Sequence, residues 1–384
     1  AGEASGAAPR VLAARVRAPA DGAAPSGVLR KGHRLPVTAV ALTGDDATAF
    51  SASKDGLIMR WDLETGAKQK FERPPPPDRS LSGPVAPPPG SCSAVLAMAV
   101  SSDGSFLATG GPEKRVHIWD AQQGKHLKAF VGHRGPVSGL CFRDGTHELF
   151  SCSYDRTIKL WNLDDMAYID TLYGHQAEVL GIHAGRKERA VTCSRDQTVR
   201  MWKVPEDSSL IFRGHGSSID CCAFLTPSHM VSGMEDGAVA LWSHVKKKPL
   251  AIWRNAHGGV QGSDGASATA GASEDIWAAR AVAGAHEGAG MAGGWVGAVA
   301  AVPNSDLIAS GAGDGAIRLW AADDGHRSLR PLHALPARGF VNSIAFARSG
   351  RFLVAGVGQE PRLGRWGRDP KARNGLLLHR LELD

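Results

Sequence analysis

Histidine, aspartate and serine recur together along this chain, and these three side chains build a nucleophilic triad when the histidine can take a proton from the serine. Gly-His pairs place His33, His133, His175 and His215, and acids follow at Asp55, Asp155, Asp196, Asp236 and Asp314, with Glu113 and Glu360 in two further copies. Each acid stands six residues before a tryptophan: Trp61, Trp119, Trp161, Trp202, Trp242, Trp320 and Trp366. A catalytic set is needed once in a domain. A set repeated at fixed spacing points instead to a scaffold, in which a half-buried imidazole, carboxylate and indole N–H satisfy one another where water is excluded.

Other chemistry is absent at the level of motifs. The chain has no G-x-x-x-x-G-K-[ST] phosphate loop, no H-E-x-x-H, no G-x-S-x-G and no Cys/His cluster with metal spacing. GAGDGAIRLW, residues 311 to 320, is glycine-rich but occupies a strand-turn-strand position of the repeat, without the helix a nucleotide loop needs. The six cysteines form no C-x-x-C pair and fall mostly in apolar runs such as IDCCAF, which reads as buried thiols in a reducing compartment. The expectation is a non-enzymatic binding platform with no cofactor and no metal.

The elements that position the repeated residues follow from the period. Successive tryptophans lie 58, 42, 41, 40, 78 and 46 residues apart, and three spacings near 41 fix the unit. Within one unit, runs such as VSGLCF, HELFSCS and TIKLW, each bounded by turn residues, read as short strands, four to a period. The histidine slot of the second, sixth and seventh copies falls on Ser91, on Ala292 or a neighbour, and on Arg338. Two long intervals are explained by composition. Residues 72 to 91 are proline-rich and cannot continue a ladder, and residues 257 to 294 are dominated by Gly, Ala and Ser with little to bury. Residues 1 to 25 read as an N-terminal extension and 26 to 384 as the repeat domain. GVLRK before His33 and NGLLLHRLEL at the C-terminus are both able to complete the last unit. No run of eighteen apolar residues marks a membrane span.

SCSYDRTIKLWN and its copies resemble the WD-repeat family over nearly the whole chain after about residue 25. The resemblance implies an all-β fold, a seven-bladed WD40 β-propeller carrying the two low-complexity insertions. It also implies that the Gly-His histidine, a strand Ser or Thr, the turn Asp and the Trp are hydrogen-bonded within each blade, as at His133, Asp155 and Trp161.

Residues the repeat does not demand are where specific function is sought. From Arg338 to Arg380 nine cations face two carboxylates, Glu360 and Asp369, and nine minus two gives +7 against +6 for the whole chain. The planar guanidinium suits phosphate oxygens and base stacking, although charge alone equally describes a solvated face. The candidate RNA contacts are Arg338, Gln359, Arg362, Arg365, Arg368, Lys371 and Arg373.

FVNSIAFARSGRFLVAGVGQEPRLGRWGRDPKARN, residues 340 to 374, is similar to the last repeat of the WD-repeat proteins of the U3 small nucleolar ribonucleoprotein, and further matches run in order from about residue 31. Gly358, Gln359, Glu360, Arg362, Gly364 and Arg365 match that family's terminal-blade signature. This resemblance implies a nucleolar protein that binds U3 small nucleolar RNA at its box B/C kink-turn, beside the kink-turn-binding protein and other box C/D subunits. It implies a role among small-subunit processome proteins in pre-ribosomal RNA processing. A protein-only propeller, such as a ubiquitin-ligase substrate receptor or a histone-tail reader, is the alternative. The ligase adaptor signature W-D-x-R is absent, since the WD dipeptides read WDLE and WDAQ.

Overall fold

Antiparallel ladders of four short strands recur seven times in the computed structural model, which describes residues 10–17, 27–72, 94–185, 189–214, 216–257, 294–323, 325–364 and 367–383. The innermost strands are Val37–Leu42, Ala97–Val100, Val137–Phe142, Val179–Ala184, Ile219–Thr226, Ala298–Ala301 and Phe340–Phe346, one from each blade of a seven-bladed propeller. Each lies against its successor around the ring, and the last lies against the first. The only helical segments among the described residues are two 3-10 turns, Ala13–Arg15 and Val204–Glu206. No helix there is long and apolar enough to cross a membrane.

Strand sequences explain the packing between blades. Inner and second strands are buried on both faces, as in Thr48–Ser53 and Glu148–Ser153, so they carry near-continuous small and apolar residues rather than an alternation. Close approach limits side-chain size: a Cβ on Gly139 would lie 2.8 Å from Cys152 Sγ and 3.1 Å from Ile182 Cγ2 of the next blade. A polar belt also links neighbouring inner strands. Thr38 Oγ1 donates to the Val95 carbonyl, Ser138 Oγ to that of Val179, and Asn342 Nδ2 to that of Val37, 2.8 Å away. These bonds tie each of the three inner strands to the next blade.

The seventh blade is made from both chain ends. Its order from the outside is Val28–Lys31, Gly375–Arg380, Phe352–Gly358 and Phe340–Phe346, so the N-terminal strand is outermost. Closure of this kind removes the open seam of the ring.

Three sequence expectations are corrected here. The division at residue 25 separates a segment that belongs to the propeller: Leu12 is buried in the core shared by blades six and seven, and the Leu12 and Ala13 amides donate to Asp306 Oδ1 at 2.7 and 3.0 Å. The third strand of the seventh blade is Gly375–Arg380, not the segment around Trp366. Leu353 pairs with Phe346 and His379 as Leu149 pairs with Phe142 and Trp161, so His379 occupies the tryptophan position. The same register makes Ala337, not Arg338, the counterpart of His133, because Val341 pairs with Val357 as Val137 pairs with Ser153. The proline-rich loop lies outside the described residues, as do residues 258–293 of the Gly/Ala-rich segment, His215, Arg365 and Trp366.

Candidate nucleic-acid interface

The repeated polar residues form closed sets inside the blades. Trp61, Trp119, Trp161, Trp202, Trp242 and Trp320 each donate Nε1–H to a second-strand hydroxyl, on Ser51, Thr109, Ser151, Thr192, Ser232 and Ser310, at 2.7 to 2.9 Å. In the third blade His133 Nε2 lies 2.8 Å from Ser151 Oγ and its Nδ1 2.9 Å from Asp155 Oδ2. His175, Thr192 and Asp196 repeat this in the fourth at 2.8 Å each. In the first, His33 contacts Ser51 and Ser53, and Ser53 donates to Asp55. Burial opposes ionisation of Asp155 and Asp196, but hydrogen bonds from the histidine, a threonine hydroxyl and a backbone amide outweigh it and hold both carboxyls well below the usual range. Asp236 accepts from the Ala238 amide at 3.1 Å. Ser51, Ser151, Ser232 and Ser310 are buried, each with its hydroxyl accepting from an indole N–H.

The sixth-blade histidine is His257, which the period had assigned to the insertion. Its Nε2 lies 2.7 Å from Ser310 Oγ and its Nδ1 3.1 Å from Asp314. The dipeptide AH in RNAHGG was the available signal, displaced from Trp320 by the intervening segment.

Charge that the scaffold does not consume gathers where the second and third strands of the seventh blade are joined. In other blades this join is a tight turn, whereas here residues 359–374 form a long connection. Its base is braced internally. Gln359 Nε2 donates to the Ala372 and Pro370 carbonyls at 2.9 and 3.4 Å, its amide N–H donates to Asn374 Oδ1, and Asn374 Nδ2 donates to the Arg34 carbonyl at 2.8 Å. Lys54 Nζ donates to the Gly364 carbonyl at 2.8 Å and pairs with Glu360 at 3.4 Å.

The seven candidate contacts therefore divide. Arg338, Arg368, Lys371 and Arg373 are exposed, with Arg338 Nε 3.8 Å from Asp369 Oδ2. Gln359 spends its side-chain donors within the connection. Arg362 turns inward over the central channel and reaches the Leu180 carbonyl of the fourth blade at 3.4 Å. There its charge acts on Asp220, whose carboxyl burial pushes up, and on the buried thiols of Cys152 and Cys193, also raised by burial. Arg365 lies outside the described residues.

The antiparallel order places this connection on one face of the disc, with all joins between second and third strands and all joins between blades. Residues directly after the blade histidines, Arg34 and Arg134, are exposed on that same face and are not among the seven sequence candidates, although GHR marks both positions at residues 32–34 and 132–134.

Comparison with known proteins accounts for both the repeat and the terminal blade. The WD domain, G-beta repeat family model matches residues 25–62, 83–120, 124–162, 166–203, 207–243 and 286–321, leaving the three C-terminal strands of the seventh blade unmatched. The U3 small nucleolar RNA-interacting protein 2 of Homo sapiens is 44% identical over 370 residues, covering 96% of this chain and 71% of that protein. The U3 snoRNP-associated protein-like YAO of Arabidopsis thaliana is 46% identical over 387 residues, covering 99% of this chain and 74% of that protein. The chain belongs to the WD40 family of U3 snoRNP-associated proteins. Within this family, the crystal structure of the RRP9 WD40 repeats is 43% identical with a TM-score of 0.78, and the match covers 94% of this chain and 99% of that one. These matches cover nearly the whole chain, beyond the residues that the repeat model matches, so the family likeness is more than shared architecture.

Proposed function

We propose that this protein is a non-enzymatic RNA-binding and scaffold subunit of the U3 small nucleolar ribonucleoprotein. It recognises the box B/C kink-turn region of U3 RNA together with the kink-turn-binding protein, and serves small-subunit pre-ribosomal RNA processing in the nucleolus. The observation that carries this reading is the braced connection of the seventh blade, which holds Arg368, Lys371 and Arg373 exposed on the face of a rigid ring that also carries Arg338. A preformed cationic surface binds a bent phosphate backbone without first ordering itself, so less binding energy is lost to side-chain and loop entropy. Other loops on the face contact the protein already on that RNA, and affinity comes from the composite surface.

Crosslinking of the intact protein in cells, with sequencing of the attached RNA and mapping of the crosslinked peptides, tests this. U3 RNA joined to peptides within residues 338 to 374 is the expected result. U3 RNA joined only to other blades would keep the function and remove this site. Absence of enriched RNA would overturn the reading in favour of a protein-only propeller.

A further inference from the structure

We infer that the RNA-binding surface continues from the seventh blade across blades one to three as an arc of four further cations, Arg34, Lys114, Arg134 and Arg156, which take the phosphate backbone flanking the bent element. This inference rests on the reading that blade seven binds RNA. Two structurally equivalent positions of the repeat define the arc.

The first position directly follows the blade histidine. It holds Arg34 in the first blade and Arg134 in the third, and by register Arg338 in the seventh. The fourth and fifth blades hold Gln176 and Gly216 there. The second position follows the turn acid between the second and third strands. It holds Lys114 and Arg156 in blades two and three, then Gln197, Gly237 and Gly315 in blades four to six. Among the described residues, the cations at both positions are confined to the half of the ring that continues from blade seven. Glu178 and Glu235 stand on the corresponding joins of blades four and five.

A second observation separates this arc from a chance run of surface charge. The turn position is left-handed in every blade where it is seen, with φ of 75° at Gly56, 64° at Lys114, 70° at Arg156, 64° at Gln197, 82° at Gly237 and 88° at Gly315. Glycine takes that conformation without steric cost, and a residue with a Cβ does not. Blades two and three nevertheless carry long cations there. All four arc side chains are exposed, and none has a side-chain hydrogen bond or ion pair among the described residues; at Lys114 and Arg156 no such contact repays the strain. Unpaired cations at the strained turn position, Lys114 and Arg156, together with Arg34 and Arg134 at the other position, serve something outside the chain, and their common face is the one carrying Arg338, Arg368, Lys371 and Arg373.

The test uses the full chain with a fluorescent U3 RNA fragment spanning box B/C, bound to the kink-turn-binding protein. One variant combines Arg34→Gln, Lys114→Gly, Arg134→Gln and Arg156→Gly, and a second combines Arg368→Gln, Lys371→Gln and Arg373→Gln. Because glycine relieves the turns, the arc variant keeps or raises its melting temperature, which separates charge from folding. The arc variant is expected to bind at least about tenfold more weakly and to flatten the slope of log K against log salt by about 3 to 4, since each of four phosphate contacts contributes roughly 0.7 to 0.9. Weakening by the second variant alone would overturn the arc and leave blade seven as the site. No effect from either would overturn the arc together with the reading beneath it. Loss of binding to a polyglutamate peptide by the arc variant, with RNA affinity unchanged, would assign the arc to an acidic protein partner and overturn it as an RNA path.

Discussion

Arg362 leaves the seventh blade, crosses the mouth of the central channel and places Nη2 3.4 Å from the Leu180 carbonyl in the fourth blade. On the opposite face Arg348 of the same blade reaches Asp144 of the third at 3.2 Å, while its own amide and that of Ser349 donate to Asp46 of the first. The terminal blade thus reaches over both ends of the channel. Its basic character is partly internal to the ring.

Arg362→Ala is accordingly expected to act on stability more than on phosphate binding. Removing a charged donor from a half-buried carbonyl costs about 1 kcal/mol, visible as a lower urea midpoint with unchanged m. The salt slope of RNA binding should change by less than for Arg368→Ala. An Arg362→Ala protein with normal stability and the larger slope change would return this arginine to the phosphate contacts.

Acid should loosen the ring before the carboxylates titrate. Burial lowers the His33 imidazole from its ordinary 6.5 to about 4, with Asp55 only partly opposing it, and burial also lowers His175 and His257. A base with a lowered folded pKa binds its proton more readily when unfolded, so its contribution is complete above pH 6.5 and is lost as pH falls toward 4. Asp155 and Asp196, with lowered folded values, keep their contribution above the usual carboxylate range and lose it only at lower pH. The urea midpoint should fall between pH 6.5 and 4, and a flat profile there would contradict neutral blade histidines.

Much of this architecture was legible because the repeated residues are locally constrained. Trp161 and Ser151 must lie diagonally across a two-strand register, with Trp161 opposite Leu149 and Ser151 opposite Lys159, which fixes their separation along the chain whatever the rest of the blade does. His257 was not legible in this way, since its slot lies on the far side of an insertion and spacing alone assigned that slot to Ala292. Trp366 misled for the opposite reason: its spacing from Trp320 fits the period, yet the blade uses Gly375–Arg380 and places His379 in the register position. For the surface, composition located the cationic blade but not which cations face outward. That depends on side-chain partners such as Leu180 for Arg362 and Ala372 for Gln359.

The N-terminal segment is expected to act as a latch on ring closure. Arg10 and Arg17 amides donate to the Asn304 and Glu382 carbonyls at 2.8 and 3.0 Å, and Leu12 is buried between blades six and seven. Leu12→Ala should cost about 3 kcal/mol, as for other buried leucines, with Asp306→Ala destabilising further by freeing the Leu12 and Ala13 amides. A shift within error for both variants would show that the segment docks without contributing to closure.

Asn342 is the residue through which closure and the cationic connection are joined. It is buried in the innermost strand of blade seven, and its Nδ2 donates to the Val37 carbonyl of blade one at 2.8 Å and to the Glu360 carbonyl at 3.2 Å. Asn342→Leu fills similar space but leaves both carbonyls without this donor, a loss of about 2 kcal/mol. The defect should be local before it is global, because the remaining blades keep their own ladders and tryptophan sets. Hydrogen exchange should therefore accelerate first in Val37–Leu42 and in residues 359–374, with the third and fourth blades still protected. RNA affinity should fall with it, since the connection holding Arg368, Lys371 and Arg373 loses a point of attachment to the ring. Uniform acceleration through all seven blades would show that Asn342 supports only the overall fold.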